Sequence, residues 1–274
     1  MKYAVLLSCR NEKKHIGEAL SSVLSQSVSP ELVVVVDDFS TDKTTDIVSK
    51  FSVILISTRN PRCSVRGVNQ ALALNAGLTE IYRFVPDWDY VLKIDADTVL
   101  SEKYVESLIL KYVENKKLGI CSGNPQDEKI WRGRASDGAK VFSRACLDSI
   151  GFFPLCNAFD TLMILRAKHH GWLVESFTDV KYTQTRTMRR EKLSRWVLSG
   201  RSRYYLGFPV WHTFLIAVVY AKQKPYFIGS FSMFLAHLFT SLGKEKRPWG
   251  KSFYTFTNAY AMEEFLDRVK LRML

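Results

Sequence analysis

The run YVLKIDADTVL, residues 90–100, sets two carboxylates, Asp95 and Asp97, at the end of an apolar segment. Residues two apart on a strand point to one side. At a strand end such a pair can converge on one divalent cation. Mg2+ takes one or two protein carboxylates, keeps some waters and fills its shell with substrate phosphate oxygens. A cation held there neutralises charge that builds on a diphosphate leaving group. A second acidic cluster, VVVVDDFSTD, closes another β-branched run. Asp38 is its candidate ligand for a base or ribose, while Ser40 and Asp42 suit a helix start. An ordinary acidic loop is the alternative reading of the first cluster, and a helix N-cap with favourable charge at the dipole that of the second. Lys93, inside the first run, either meets substrate or lines the sheet face.

These residues need a scaffold, and the flanking pattern describes one. Short apolar runs at 3–8, 32–36, 52–57 and 90–94 read as buried strands. Between them, Ile16, Ala19, Leu20, Val23 and Leu24 make one helical face. Ser40 or Thr41 is placed to cap a helix reaching Lys50, residues 66–78 read as a helix, and Ser101 is placed to cap another. LGICSGN and AKVFS read as strands, and helices closed by Gly151 and Gly171 follow. The alternation predicts an α/β fold with a twisted, mainly parallel sheet flanked by helices. Ligands of such sheets bind beyond the carboxyl ends of the strands. Arg10, Glu12, Asp38, Asp95 and Asp97 all follow strand ends.

In order and spacing, VLLSCRNEKKHIGEALSSVLSQS, LVVVVDDFSTDKTTDIV and DYVLKIDADTVL resemble the inverting family-2 glycosyltransferases of the GT-A fold, over residues 3–175. The resemblance implies that Ser8, Arg10, Glu12 and Asp38 hold the nucleotide of a nucleotide-diphosphate sugar. It assigns Asp95 and Asp97 to a divalent metal, Mg2+ or Mn2+, with Asp95 directed at the ribose or the same metal. Arg66 and Asn69 become candidates near the nucleotide, with a solvated helix start as the alternative. Asp160 becomes the candidate base that deprotonates the acceptor, with a helix cap as its alternative. Family members often carry an aromatic residue where Arg10 stands and a Glu-Asp pair where this chain has Phe159-Asp160. Trp131 suits stacking on a sugar ring, or a core anchor, and Arg132 or Arg134 suits a phosphate. Arg195 and Trp196 partly match the Gln-x-x-Arg-Trp motif of processive members, with Lys192 in the Gln position. A single-sugar transfer is therefore expected, with Arg195 and Trp196 near acceptor or diphosphate.

Among 274 residues, 39 Lys and Arg against 27 Asp and Glu give a net charge of +12, which calls for an acidic partner. No nucleic-acid motif accompanies the basic residues, so nucleic acid is not the expected partner. From about 181 the character changes. A basic stretch at 186–203 precedes two apolar segments, 206–221 and 226–242, each shorter than the roughly 20 residues that span a bilayer. The expected division is a catalytic domain at 1–180 and a basic, helical extension at 181–274. That extension is expected to lie on a membrane surface or to pack on protein. A lipid-linked or glycan acceptor and a peripheral position on the cytoplasmic face would follow. Five cysteines without a CxxC pair suggest a reduced compartment. Two other classes remain as alternatives: a sugar-1-phosphate nucleotidyltransferase, whose Gly-rich phosphate loop is missing from LLSCRNEKKHIG, and a non-catalytic basic membrane- or nucleic-acid-binding protein. Oligomerisation is left open.

Overall fold

The computed structural model describes residues 1–58, 63, 65–126, 133–186 and 192–273. The chain forms two compact units, Met1–Arg186 and Thr187–Leu274.

The first unit runs β1 (Tyr3–Cys9), α1 (Ile16–Leu24), β2 (Leu32–Asp37), α2 (Thr44–Val48), β3 (Ile54–Ser57), α3 (Arg66–Phe84), β4 (Tyr90–Asp95), β5 (Thr98–Leu100), α4 (Tyr104–Glu114), β6 (Leu118–Pro125), β7 (Ala139–Ser143), α5 (Arg144–Ile150), α6 (Phe159–His169) and β8 (Leu173–Gln184). One eight-stranded sheet has the order β3-β2-β1-β4-β7-β6-β8-β5. Strands β3, β2, β1 and β4 are mutually parallel, whereas β7 is antiparallel to both β4 and β6, and β5 to β8. The sheet is thus mixed, more than the opening alternation alone predicts.

Period-two alternation explains how both sheet faces bury. Tyr3, Val5 and Leu7 of β1 and Leu92 and Ile94 of β4 pack with Ile16 and Leu20 of α1 and Tyr104 and Leu108 of α4. Ala4, Leu6, Val34 and Val91 pack oppositely, with Leu74 and Leu78 of α3, Leu147 of α5 and Phe159 and Met163 of α6. Gly77 lets α3 lie close, since a Cβ there would sit 2.5 Å from Leu6 and 2.6 Å from Val36. Helix α2 is shorter than expected, and Lys43 precedes it without a side-chain cap. Ser40 instead accepts from Asn11 N–H, and Thr41 N–H donates to Asn11 Oδ1. Ser101 likewise does not cap α4, which Lys103 precedes. The boundary expected at 180 falls inside β8, and the first unit continues to Arg186.

The second unit contains α7 (Leu193–Tyr205), α8 (Val210–Val219), α9 (Ile228–Leu242) and α10 (Lys251–Met273). Trp196, Ile216, Ala217 and Met233 form its core, joined by Tyr220, Phe234 and Phe265. Among the described residues, no helix is long and apolar enough to cross a membrane.

Candidate active site

Register alone brings the first site residues together. Ser8 of β1 lies between Val36 of β2 and Asp95 of β4, and Cys9 pairs with Asp37. The carboxyl ends of three parallel strands therefore share one edge. Asp37 is buried and accepts from Ser40 N–H at 3.1 Å, closing the loop after β2. Its neighbour Asp38 is left half-buried on the open side, where Arg10 Nη1 lies 3.7 Å from its carboxylate. Glu12 N–H donates to Thr44 Oγ1 at 2.8 Å, tying the loop after β1 to α2. Asn11 takes a left-handed conformation, φ 54°, to make this crossing.

Asp97 sits in the tight turn between β4 and β5. Its carbonyl accepts from Thr185 N–H at 2.8 Å, just past the end of β8. His15 Nδ1 and Thr185 Oγ1 are 2.8 Å apart, so the loop after β1 meets the same corner. The Arg186 guanidinium donates to Glu12, and its Nε lies 3.6 Å from Asp97 Oδ2. Burial pushes the Glu12 carboxyl above its usual range, against the opposing pull of Arg186. A cation thus already lies between these two carboxylates. The hard oxygen donors of Asp97 and Glu12 fit Mg2+ or Mn2+. Among the described residues no group of three or more His, Cys, Asp or Glu side chains could hold a metal alone. A metal here would depend on substrate phosphate oxygens to complete its shell.

Asp95 has a different environment. Its Oδ1 accepts from Lys93 Nζ at 2.7 Å. Burial pushes its carboxyl up to about 6, with Lys93 opposing the shift. Lys93 alternates with Val91 and Asp95 on the face that α3, α5 and α6 cover, and it is 1% exposed. Lys140 is its direct partner on β7 and is fully buried. Asp160, in the first turn of α6, accepts from Lys140 Nζ through Oδ1 at 2.7 Å, and Lys93 Nζ is 3.8 Å from the same oxygen. Asp137 completes the cluster, 2.8 Å from Lys140 and 3.1 Å from Arg134. Burial would raise the Asp137 carboxyl, but Lys140 and Arg134 outweigh it and hold it well below its usual range. Burial would lower Lys93, but Asp160 and Asp95 outweigh it and keep it charged.

The structure thus brings Ser8, Arg10, Glu12, Asp38, Asp95, Asp97 and Asp160 to one edge of the first unit. Other expected residues fare differently. The Asn69 amide accepts from Cys63 N–H and donates to the Cys63 carbonyl, at 3.0 and 2.8 Å, so it clamps the loop before α3. Arg66 opens α3, but its side chain lies outside the described residues, as do Trp131 and Arg132. Trp196 is 6% exposed in the core of the second unit, against Gly229 and Tyr220. Arg195 is exposed on α7. Sequence reasoning missed Lys140, Asp137, His15 and the placement of Arg186. Only the lysines left a signal, as charges at core-facing positions of apolar strands.

The family described as Glycosyl transferase family 2 matches residues 4–169. A poly-beta-1,6-N-acetyl-D-glucosamine synthase of Staphylococcus epidermidis is 32% identical over 123 residues, covering 44% of this chain and 28% of that protein. The corresponding synthase of Staphylococcus aureus strain COL is 29% identical over 125 residues, with the same shares. The chain therefore spans less than a third of these curated relatives, 28% of their length. Among solved structures, mannosyltransferase PcManGT of Pyrobaculum calidifontis, in complex with GDP-Man and Mn2+, superposes with a TM-score of 0.57 at 17% identity, over 98% of this chain and 86% of that one. S. aureus TarS 1-349 in complex with UDP gives a TM-score of 0.55 at 19% identity, over 87% and 71%. At such identities the superpositions bear on fold alone.

Proposed function

This chain belongs to glycosyl transferase family 2 and has the GT-A fold, and we propose that it transfers a sugar, with inversion, from a nucleotide-diphosphate sugar to an acceptor on a glycan or a lipid carrier. The observation that carries the reading is the convergence of Asp38, the Asp95/Asp97 pair and Asp160 from three separate chain segments onto one sheet edge. Ser8, Arg10 and Asp38 bind the nucleoside. Asp97 would hold a divalent cation, with Glu12 and Asp95 as the neighbouring carboxylates. When bound, that cation neutralises the leaving diphosphate. Asp160 accepts the proton of the acceptor hydroxyl through Oδ2. The acceptor oxygen bonds to the anomeric carbon while the bond from that carbon to the diphosphate oxygen breaks. The electron pair leaves with the nucleoside diphosphate, which balances the exchange. The synthase relatives and the UDP-bound neighbour make UDP-N-acetylglucosamine the first donor to try. UDP- and GDP-sugars should be screened with Mn2+, reading nucleoside diphosphate release and the anomeric configuration of the product by NMR. Metal-dependent release with an inverted product is expected. A retained anomer, or no release from any donor tried, would overturn the reading.

The second unit is proposed to rest on the cytoplasmic face of a membrane. Beside its apolar core, it buries several polar side chains and exposes large apolar ones. His212, Thr213, Ser230, His237 and Thr240 are buried, while Trp211, Phe214 and Val218 of α8 and Ile228, Phe231, Phe239 and Leu242 of α9 are exposed. Exposed Lys222 and Lys224 join the two helices, and exposed Lys244 and Lys246 follow α9. An apolar stripe edged by lysines matches an anionic lipid interface. Flotation with phosphatidylcholine–phosphatidylglycerol vesicles should carry the protein upward, and Phe214→Glu with Phe231→Glu should abolish this. Self-association in solution with no flotation would instead assign the stripe to a second copy.

A further inference from the structure

Two lysines stand where this sheet should be apolar. Lys93 and Lys140 face each other in the antiparallel β4–β7 register. Both are at most 1% exposed. Like charges opposite one another on a sheet repel, and a buried ammonium is unfavourable unless carboxylates surround it. Well-packed apolar residues would serve the sheet at least as well, so stability alone does not account for the pair. Its partners do. Lys140 Nζ lies 2.7 Å from Asp160 Oδ1 and 2.8 Å from Asp137 Oδ1. Lys93 Nζ donates to Asp95 Oδ1 at 2.7 Å and to the Asp137 carbonyl at 2.8 Å. The two carboxylates joined through this pair belong to opposite ends of the proposed reaction, Asp95 on the nucleotide side and Asp160 on the acceptor side.

We propose that Lys140, backed by Lys93, is a positioning residue for Asp160: it fixes Oδ1 so that Oδ2 faces the acceptor, and the pair locks both carboxylates into one rigid unit. The proposal rests on Asp160 being the base. Neither lysine has an exposed surface to offer a substrate, both being at most 1% exposed. A carboxylate–ammonium contact of this kind, through one oxygen, sets geometry that free rotation of an Asp side chain would lose.

The test uses whichever UDP- or GDP-sugar gives the fastest nucleoside diphosphate release with Mn2+. Lys140→Met is compared with Lys140→Met plus Asp137→Asn, which restores charge balance and preserves the fold if the single change does not. Thermal melting checks folding, and calorimetry measures binding of UDP or GDP. Nucleotide affinity and donor KM should stay within about twofold, while kcat falls on the order of 100-fold. Adding Asp160→Asn to the Lys140 background should cost no more than about threefold further, against its full effect in the native background, because residues acting as a unit are not additive. Equal costs of Asp160→Asn in the two backgrounds, or a native kcat in the folded Lys140 variant, would overturn the positioning role while leaving the base assignment standing. Undiminished release in Asp160→Asn alone would overturn both.

Discussion

Adjacent carboxylates in this chain do different work, and their surroundings decide which. Asp37 is buried and its oxygens close a turn on Ser40 N–H, whereas Asp38 faces Arg10 on the open side. Asp37→Asn should lower thermal stability by about 1–3 kcal/mol through the weakened turn. Asp38→Asn should leave melting unchanged and weaken UDP binding about tenfold by calorimetry. The reverse pattern would exchange the two roles. Arg186 makes a second prediction. Its guanidinium sits between Glu12 and Asp97, where a divalent cation is proposed. Arg186→Gln removes the competing charge, so Mn2+ binding without nucleotide should tighten by roughly three- to tenfold, read by electron paramagnetic resonance of free Mn2+. Unchanged affinity would mean that the guanidinium and the metal do not share the position.

At the scale of elements, strand parity carried most of what the sequence disclosed. The apolar runs became β1 to β4, and the strand ends then aligned Ser8, Asp38 and Asp95. Helix starts were less legible. Ser40, Thr41 and Ser101 have the right chemistry for caps, yet long-range partners in Asn11 and Gln26 claim them or their backbone. Asp137 was invisible, and Lys140 showed only as a charge inside an apolar strand, because their meaning arises only when antiparallel β7 pairs with β4. Arg186 read as one charge of a basic stretch, although β8 delivers it to the DxD turn. In the second unit, Gly200 lets α7 pass against α9 where a Cβ would strike the Met233 carbonyl and lie 3.0 Å from Ala236. Gly200→Ala should therefore cost about 1–3 kcal/mol despite its better helix propensity. A melting temperature raised by this change would refute the close packing.

In the second unit, stability should depend on pH through two buried groups. Burial holds the His237 imidazole down to about 4, from an ordinary 6.5, with Arg203 adding to the shift. The unfolded chain therefore gains a proton that the folded site refuses. Stability contributed by neutral His237 is present above pH 6.5 and is lost as pH falls towards 4, on the order of 3 kcal/mol in all. Glu264 adds to this at lower pH. Burial would raise its carboxyl, but Arg268 and the hydrogen bond from His212 bring it down to about 2 from 4.5. Its contribution is present above pH 4.5 and is lost as pH falls through 2. Helical circular dichroism during urea unfolding should show stability dropping from pH 6.5 to 4, and His237→Gln should flatten that slope. An unaltered slope would assign the acid sensitivity elsewhere.

Central to the proposed function is a nucleotide-diphosphate site, formed by Asp97 and its neighbours, that works with a divalent cation. Calorimetric titration of UDP, and of GDP in parallel, with Mn2+ and with chelator, into the native chain and Asp97→Ala tests this most directly. Binding of one nucleotide that requires Mn2+ and disappears in a folded Asp97→Ala protein is the predicted result. Binding equally tight in chelator and unaffected by Asp97→Ala would contradict it.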